Sequence, residues 1–251
     1  MENHFPPTFE QYAGAIASLP DRVTLLKTDI LNHQFLVSAH NGLEIYYAPF
    51  DFVNVTAKVV IVGITPGWTQ MRIAFQHASV VLRRGGTATA ALQSAKNEGS
   101  FAGTMRKNLV KMLDEIGLNR ATRLKSCDDF FGCSRYLVHT TSAVRHPVFV
   151  RGQKNYSGHS PKLLLHPTLV RYVEGVLAPE LNALPRALVV PLGRCVDSVL
   201  RHLIRVGSLD AKRCLLGFPH PSGLNGHRQE EFSLGRDAFI RVVGEWGRTS
   251  L

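Results

Sequence analysis

The sequence predicts an α/β fold, a three-layer α/β/α sandwich around a central, mostly parallel sheet. Three observations lead to it. The run Val59-Val60-Ile61-Val62 is β-branched throughout, with no polar alternation, the pattern of a strand buried on both faces of a parallel sheet. A second apolar run, Ala187-Leu188-Val189-Val190, ends at Pro191. Around these runs lie segments that read as helices, and alternation of strands with helices argues for parallel strands joined by crossovers.

Taken in order, residues 8–18 read as a helix entered through Pro6, Pro7 and Thr8. Residues 35–48 alternate around Asn41-Gly42, a hairpin turn signal. A strand at 57–64 follows, then helices near 69–82, 88–97 and 104–116. A strand at 135–141 precedes an irregular stretch, 145–162, where Gly152, Gly158 and Pro161 oppose regular structure. After it come a helix at 167–178, the strand 186–191, a helix at 194–205, a strand near 213–217 and a closing helix at 229–246. The expectation is one domain over residues 1–251, with residues 1–50 as an N-terminal helix and hairpin extension.

The chain carries 29 Lys and Arg against 19 Asp and Glu, a net charge of +10. Such a surface favours polyanions, because each phosphate neutralised releases counterions. Arg83-Arg84, the cluster Arg120 to Lys125 and the cluster Arg145 to Lys154 are candidate contacts with nucleic acid. Cys127, Cys133, Cys195 and Cys214 show no Cys-x-x-Cys spacing, which reads as reduced thiols rather than a zinc site. The apolar runs fall short of the roughly 20 residues that span a bilayer, and Met1-Glu2-Asn3-His4 lacks the basic start of a signal peptide. A cytoplasmic monomer without membrane contact is the expectation.

Two short loops carry the chemistry. Gly63-Ile64-Thr65-Pro66-Gly67 ends the first buried run abruptly, and in open α/β sheets ligands collect at the carboxyl ends of strands. His220 stands between Pro219 and Pro221, which hold its backbone extended and off any regular helix. Ser222, Gly223, Asn225, Gly226 and Arg228 follow closely, a cluster of donors suited to phosphate.

These two loops, in this order, resemble the active-site motifs of the uracil-DNA glycosylase superfamily. Tyr136-Leu137-Val138-His139 with Arg145, His146 and Pro147 is similar to the strand and loop that carry the family's base-reading residue. Ala187 to Arg194 resembles its late strand ending in Leu-Gly-Arg, and Phe75 lies where the family places the aromatic on which the base stacks. The similarity spans about residues 57 to 243. It implies a DNA glycosylase acting on a flipped-out base, with DNA as partner and no cofactor. His220 is then the donor to the leaving base and Thr65 the residue at the water. Gly63, Ile64, Gly67, Phe75 and His139 line the base. Ser222, Gly223, Asn225, Arg228 and Arg145 hold DNA, and Leu224 is the apolar wedge. One branch of the family holds an iron-sulfur cluster on four cysteines, but this chain has no cysteine between Tyr136 and Pro191, so no cluster and no metal site are expected.

Three departures from the family pattern bear on the substrate. Thr65 stands where Asp or Asn usually positions the attacking water, and a hydroxyl cannot take up its proton. His139, or Thr141 or Ser142 if the alignment slips, stands where Asn pairs with uracil, and none offers that amide's adjacent donor and acceptor. Gly67 replaces the tyrosine that excludes C5 substituents in members strict for uracil. Together these imply a base other than plain uracil: a thymine-like base, a modified or phage-type hypermodified cytosine, or a deaminated purine, in repair or in defence against foreign DNA. An ordinary uracil-DNA glycosylase and a non-catalytic module that senses a modified base are the alternatives. Asp51, Asp128 and Asp129 are the acids considered as substitute bases, and Asn155 and Tyr156 are candidate lining residues of the irregular stretch.

Overall fold

The computed structural model describes residues 5–100, 103–150, 153–223 and 225–250. Its strands are β1 (Leu36–His40), β2 (Leu43–Tyr46), β3 (Val59–Gly63), β4 (Val138–Ser142), β5 (Val148–Val150), β6 (Lys154–Asn155) and β7 (Leu188–Pro191). The chain divides into two compact units. One comprises Met1–Phe52, Thr65–Ser100 and Val144–Tyr172, the other Val53–Ile64, Phe101–Ala143 and Val173–Leu251.

The second unit holds a parallel sheet in the order β4-β3-β7. Val59, Val60, Ile61 and Val62 are all fully buried, as their unbroken apolar run requires. Val59 and Ile61, with Leu188 and Val190, share a core with Leu109, Leu113 and Ile116 of the Gly103–Glu115 helix and with Phe232, Phe239 and Trp246 of the Arg228–Ser250 helix. Each such side chain contributes about 1.5–3 kcal/mol by leaving water. The Arg194–Arg205 helix packs on β7. The strand expected near 213–217 contracts to one parallel bridge between Val189 and Cys214. A 3₁₀ turn at Ala211–Arg213 and positive φ at Gly217 (87°) leave no extended run between them.

The first unit carries a sheet of its own, antiparallel, in the order β1-β2-β5-β6. The hairpin expected at Asn41-Gly42 is present, with φ of 51° and 79° at the two turn residues, as a two-residue primed turn demands. The stretch read as irregular contributes β5 and β6, which pair Phe149 with Asn155 and Val150 with Lys154. Phe9, Ile16, Phe35, Tyr47, Met71, Phe75 and Phe149 are buried in the core of this unit, beneath the helices Phe9–Ala17, Trp68–Arg83 and Ala88–Gly99.

The segment expected as a helix over 167–178 is helical over Pro167–Tyr172, winds as a π turn over Val173–Leu177, and resumes at Ala178–Asn182. Pro179 has no N–H to give to the carbonyl four residues back, and a widened turn accommodates that loss.

Candidate active site

The three strands of the parallel sheet end in register. Gly63 lies opposite Ser142 and Val62 opposite Pro191, while Ala143 N–H donates to Gly63 O (2.8 Å) and Leu192 N–H to Val62 O (2.9 Å). The first loop and the Leu-Gly-Arg segment therefore leave from one edge of one sheet.

Gly193 joins the Leu-Gly-Arg segment to the His220 loop. Its N–H donates to Phe218 O at 3.0 Å, and a Cβ on Gly193 would lie 2.9 Å from the Cβ of His220 and 3.5 Å from its ring Cδ2. Its φ of 88° with ψ of 172° is glycine territory. Gly193→Ala is expected to cost about 1–3 kcal/mol for the backbone alone and to displace His220. Thermal unfolding together with base-release assays would register both losses.

The His220 ring is held by its own loop. Ser222 N–H donates to Nδ1 at 3.2 Å, so in the neutral imidazole the proton resides on Nε2. Burial holds the pKa of His220 below its ordinary 6.5, so the ring is neutral at pH 7. Asn108 Nδ2 donates to Pro221 O at 2.9 Å, and Arg228 Nη1 donates to Ser222 O at 2.7 Å. Asn225 Nδ2 bonds Glu231 Oε2 at 3.2 Å, and Glu231 also pairs with Arg194 at 2.6 Å. Arg228 and Asn225, expected to hold DNA, are thus engaged within the loop. Their hydrogen bonds satisfy carbonyls that a proline-rich turn cannot pair with its own backbone. Asn108 and Glu231 carried no sequence signal, because their roles arise only from tertiary contact. Ser222 is half-buried and Gly223 exposed, while Leu224 lies outside the described residues.

His139 is placed differently from the base reader expected. It is 1% exposed, its Nε2 is 2.5 Å from Glu180 Oε1, and its Nδ1 accepts from Asn54 N–H at 3.4 Å. Both ring nitrogens are engaged in the interior, so as placed the ring has no edge for a base. Of the alternatives on β4, Thr141 has a buried Oγ1 without a hydrogen-bond partner, and Ser142 Oγ lies 3.5 Å from where a Gly63 Cβ would be. Gly63 and Ile64 are half-buried.

In the first unit, the Thr65 hydroxyl donates to His146 O (2.8 Å) and accepts from Val148 N–H (3.1 Å). Its only proton is committed to the backbone, so Thr65 pins the start of β5 rather than handling a water proton. Gly67 N–H donates to Gln70 Oε1 and Trp68 N–H to Asn155 Oδ1, both at 3.0 Å. The space beside Gly67 is not empty: a Cβ there would meet Asn155 Nδ2 at 3.2 Å. Phe75 has no exposed surface and stands edge-on to Phe35 with ring centres 4.7 Å apart, so its ring is core and offers no face for stacking. Arg145, expected on DNA, has a largely buried side chain 3.8 Å from Asp51.

The four cysteines are free thiols, and burial pushes Cys195 up to about 11 and Cys214 up to about 12. Among the described residues no group of three or more His, Cys, Asp or Glu is arranged to hold a metal ion, and no helix is long and apolar enough to cross a membrane.

Comparison with known proteins agrees with the motifs. The chain is 41% identical over 236 residues to the protein YoxB of Bacillus subtilis (strain 168), covering 93% of this chain and 91% of YoxB. The crystal structure of wild-type SMUG2 from Pedobacter heparinus aligns with a TM-score of 0.47 at 11% identity, over 95% of this chain and 99% of that one. The family model of the uracil DNA glycosylase superfamily matches residues 50–244, and this chain belongs to that superfamily.

Proposed function

We propose that this protein is a monofunctional DNA glycosylase that hydrolyses the N-glycosidic bond of a flipped-out damaged or modified base. The observation that carries the reading is His220, whose Nδ1 is occupied by the Ser222 amide while burial keeps the ring neutral. In that state Nε2–H donates to the carbonyl oxygen of the leaving base as negative charge develops there, the logic of an oxyanion hole. The oxocarbenium-like sugar is then captured by water. No lysine occupies either loop, so no Schiff base forms and no lyase step follows. The net charge of +10 suits a DNA backbone.

The substrate in this reading is a base other than plain uracil. Gly67 carries no ring to exclude a C5 substituent, and the His139 nitrogens are taken by Glu180 and Asn54, leaving no amide-like pair for uracil at that position. The test is a panel of duplexes and single strands bearing uracil, thymine mispairs, hydroxymethylated and glucosylated cytosine, and deaminated purines, scored for abasic sites. Abasic sites at a modified base, formed faster than at uracil, are the expected result. Preference for uracil would return the protein to ordinary uracil excision.

The commitment of the Thr65 hydroxyl to His146 O favours a second reading, a sensing module with weak or absent hydrolysis. Tight binding to one modified base with no abasic product would select it.

A further inference from the structure

Resting on the glycosylase reading, one step lacks a residue: Thr65 cannot accept the proton of the attacking water. We propose that Asp51 is the carboxylate that accepts it. Asp51 Oδ2 accepts the Tyr47 hydroxyl at 2.6 Å, and Arg145 Nη1 lies 3.8 Å from Oδ1. Lys96 Nζ donates to the carbonyl of the neighbouring Phe50 at 3.0 Å. The residue after Arg145, His146, supplies the carbonyl that takes the Thr65 hydroxyl at 2.8 Å. Asp51 and the Thr65 loop thus belong to one hydrogen-bonded framework within one unit. The Asp51 side chain is 15% exposed, so water reaches it.

The framework is built for a carboxylate rather than filled by chance. Tyr12 stacks on Tyr47 with ring centres 4.0 Å apart and planes within 7°, fixing the hydroxyl's aim. The His146 ring packs against both Tyr47 (5.0 Å) and Tyr172 (5.8 Å). The titratable and charged groups around Asp51 are Tyr47, Tyr12, Arg145, Lys96 and Tyr172. Burial raises the Asp51 carboxyl above its ordinary 3.8, with Tyr47, Arg145 and Lys96 pulling it down, which makes it a stronger base than a solvated aspartate. Other carboxylates of this unit are spent or remote: Glu10, Asp21 and Glu98 are exposed, Asp29 accepts from Leu26 N–H beside Arg22, and Glu44 takes the Tyr46 hydroxyl.

In the step assigned to Asp51, the water oxygen bonds to C1′ as the N-glycosidic bond breaks. The proton passes to the Asp51 carboxylate and later to solvent, and the electron pair leaves with the base. Asp51→Asn should lower single-turnover base release by about 10²–10⁴-fold, the usual worth of a positioned general base, and remove the acid limb of the pH–rate profile. DNA binding at low salt should persist. Because Asp51→Asn removes a buried partner of Arg145, Tyr47→Phe is the second variant. It deletes a hydrogen bond that lowers the Asp51 pKa, so the acid limb should move to higher pH. An Asp51→Asn protein with the wild-type rate and acid limb overturns the assignment, as does an unmoved limb in Tyr47→Phe if Asp51→Asn does not fold. Absence of base release by the wild-type protein overturns the glycosylase reading itself.

Discussion

Replacing His220 by alanine lowers single-turnover base release by about 10²–10³-fold, the cost of removing one donor from an oxyanion-type site, ~2.7–4 kcal/mol. The substitution removes the Nε2–H donor but leaves the loop's other ties in place: Asn108 to Pro221 O, Arg228 to Ser222 O, and Asn225 to Glu231. The half-buried ring contributes less packing than a core side chain, so the thermal midpoint should fall little while the rate collapses. A His220→Ala protein that releases base at the wild-type rate would remove His220 from the chemistry. A rate loss that merely tracks unfolding would make its role structural.

Phe75→Ala is expected to do the reverse, with its main effect on the fold. The ring has no exposed surface and meets Phe35 edge-on in the core of its unit, so truncation leaves a cavity and costs about 3–5 kcal/mol. For a chain of this size each kcal/mol moves the midpoint by about 2–4 °C, so a fall of roughly 6–20 °C is the predicted reading in thermal denaturation. A protein with an unchanged midpoint but weakened binding to base-modified DNA would restore Phe75 to the stacking role that the family resemblance implies.

The contrast between these residues shows what the sequence carried. His220 was legible because two flanking prolines and a run of small polar residues exclude a helix, and its local partner Ser222 is two positions away. Phe75 and His139 occupy matching positions in a resemblance, but whether a side chain faces a ligand or the interior depends on partners 40 or so residues distant, Phe35 and Glu180. Asp51 fell in the same class: its spacing to the loops says nothing, and its environment comes from Tyr47, Arg145 and Lys96.

The fold divides along similar lines. Long periodic segments were legible to within a residue or two, as at Trp68–Arg83 and Arg194–Arg205. The strands β5 and β6, three and two residues long, are too short for alternation to register, so the antiparallel sheet was visible only as its first hairpin. The bridge at Cys214 read as a strand because Leu215 and Leu216 are apolar, although flanking turns leave no room for a ladder.

The most direct test of the account is base release in water enriched in oxygen-18, with both products weighed by mass spectrometry. The account predicts the intact free base, unlabelled, and one labelled oxygen at C1′ of an otherwise unbroken strand. A strand cleaved by elimination, or a base that stays attached across the whole substrate panel, would contradict it.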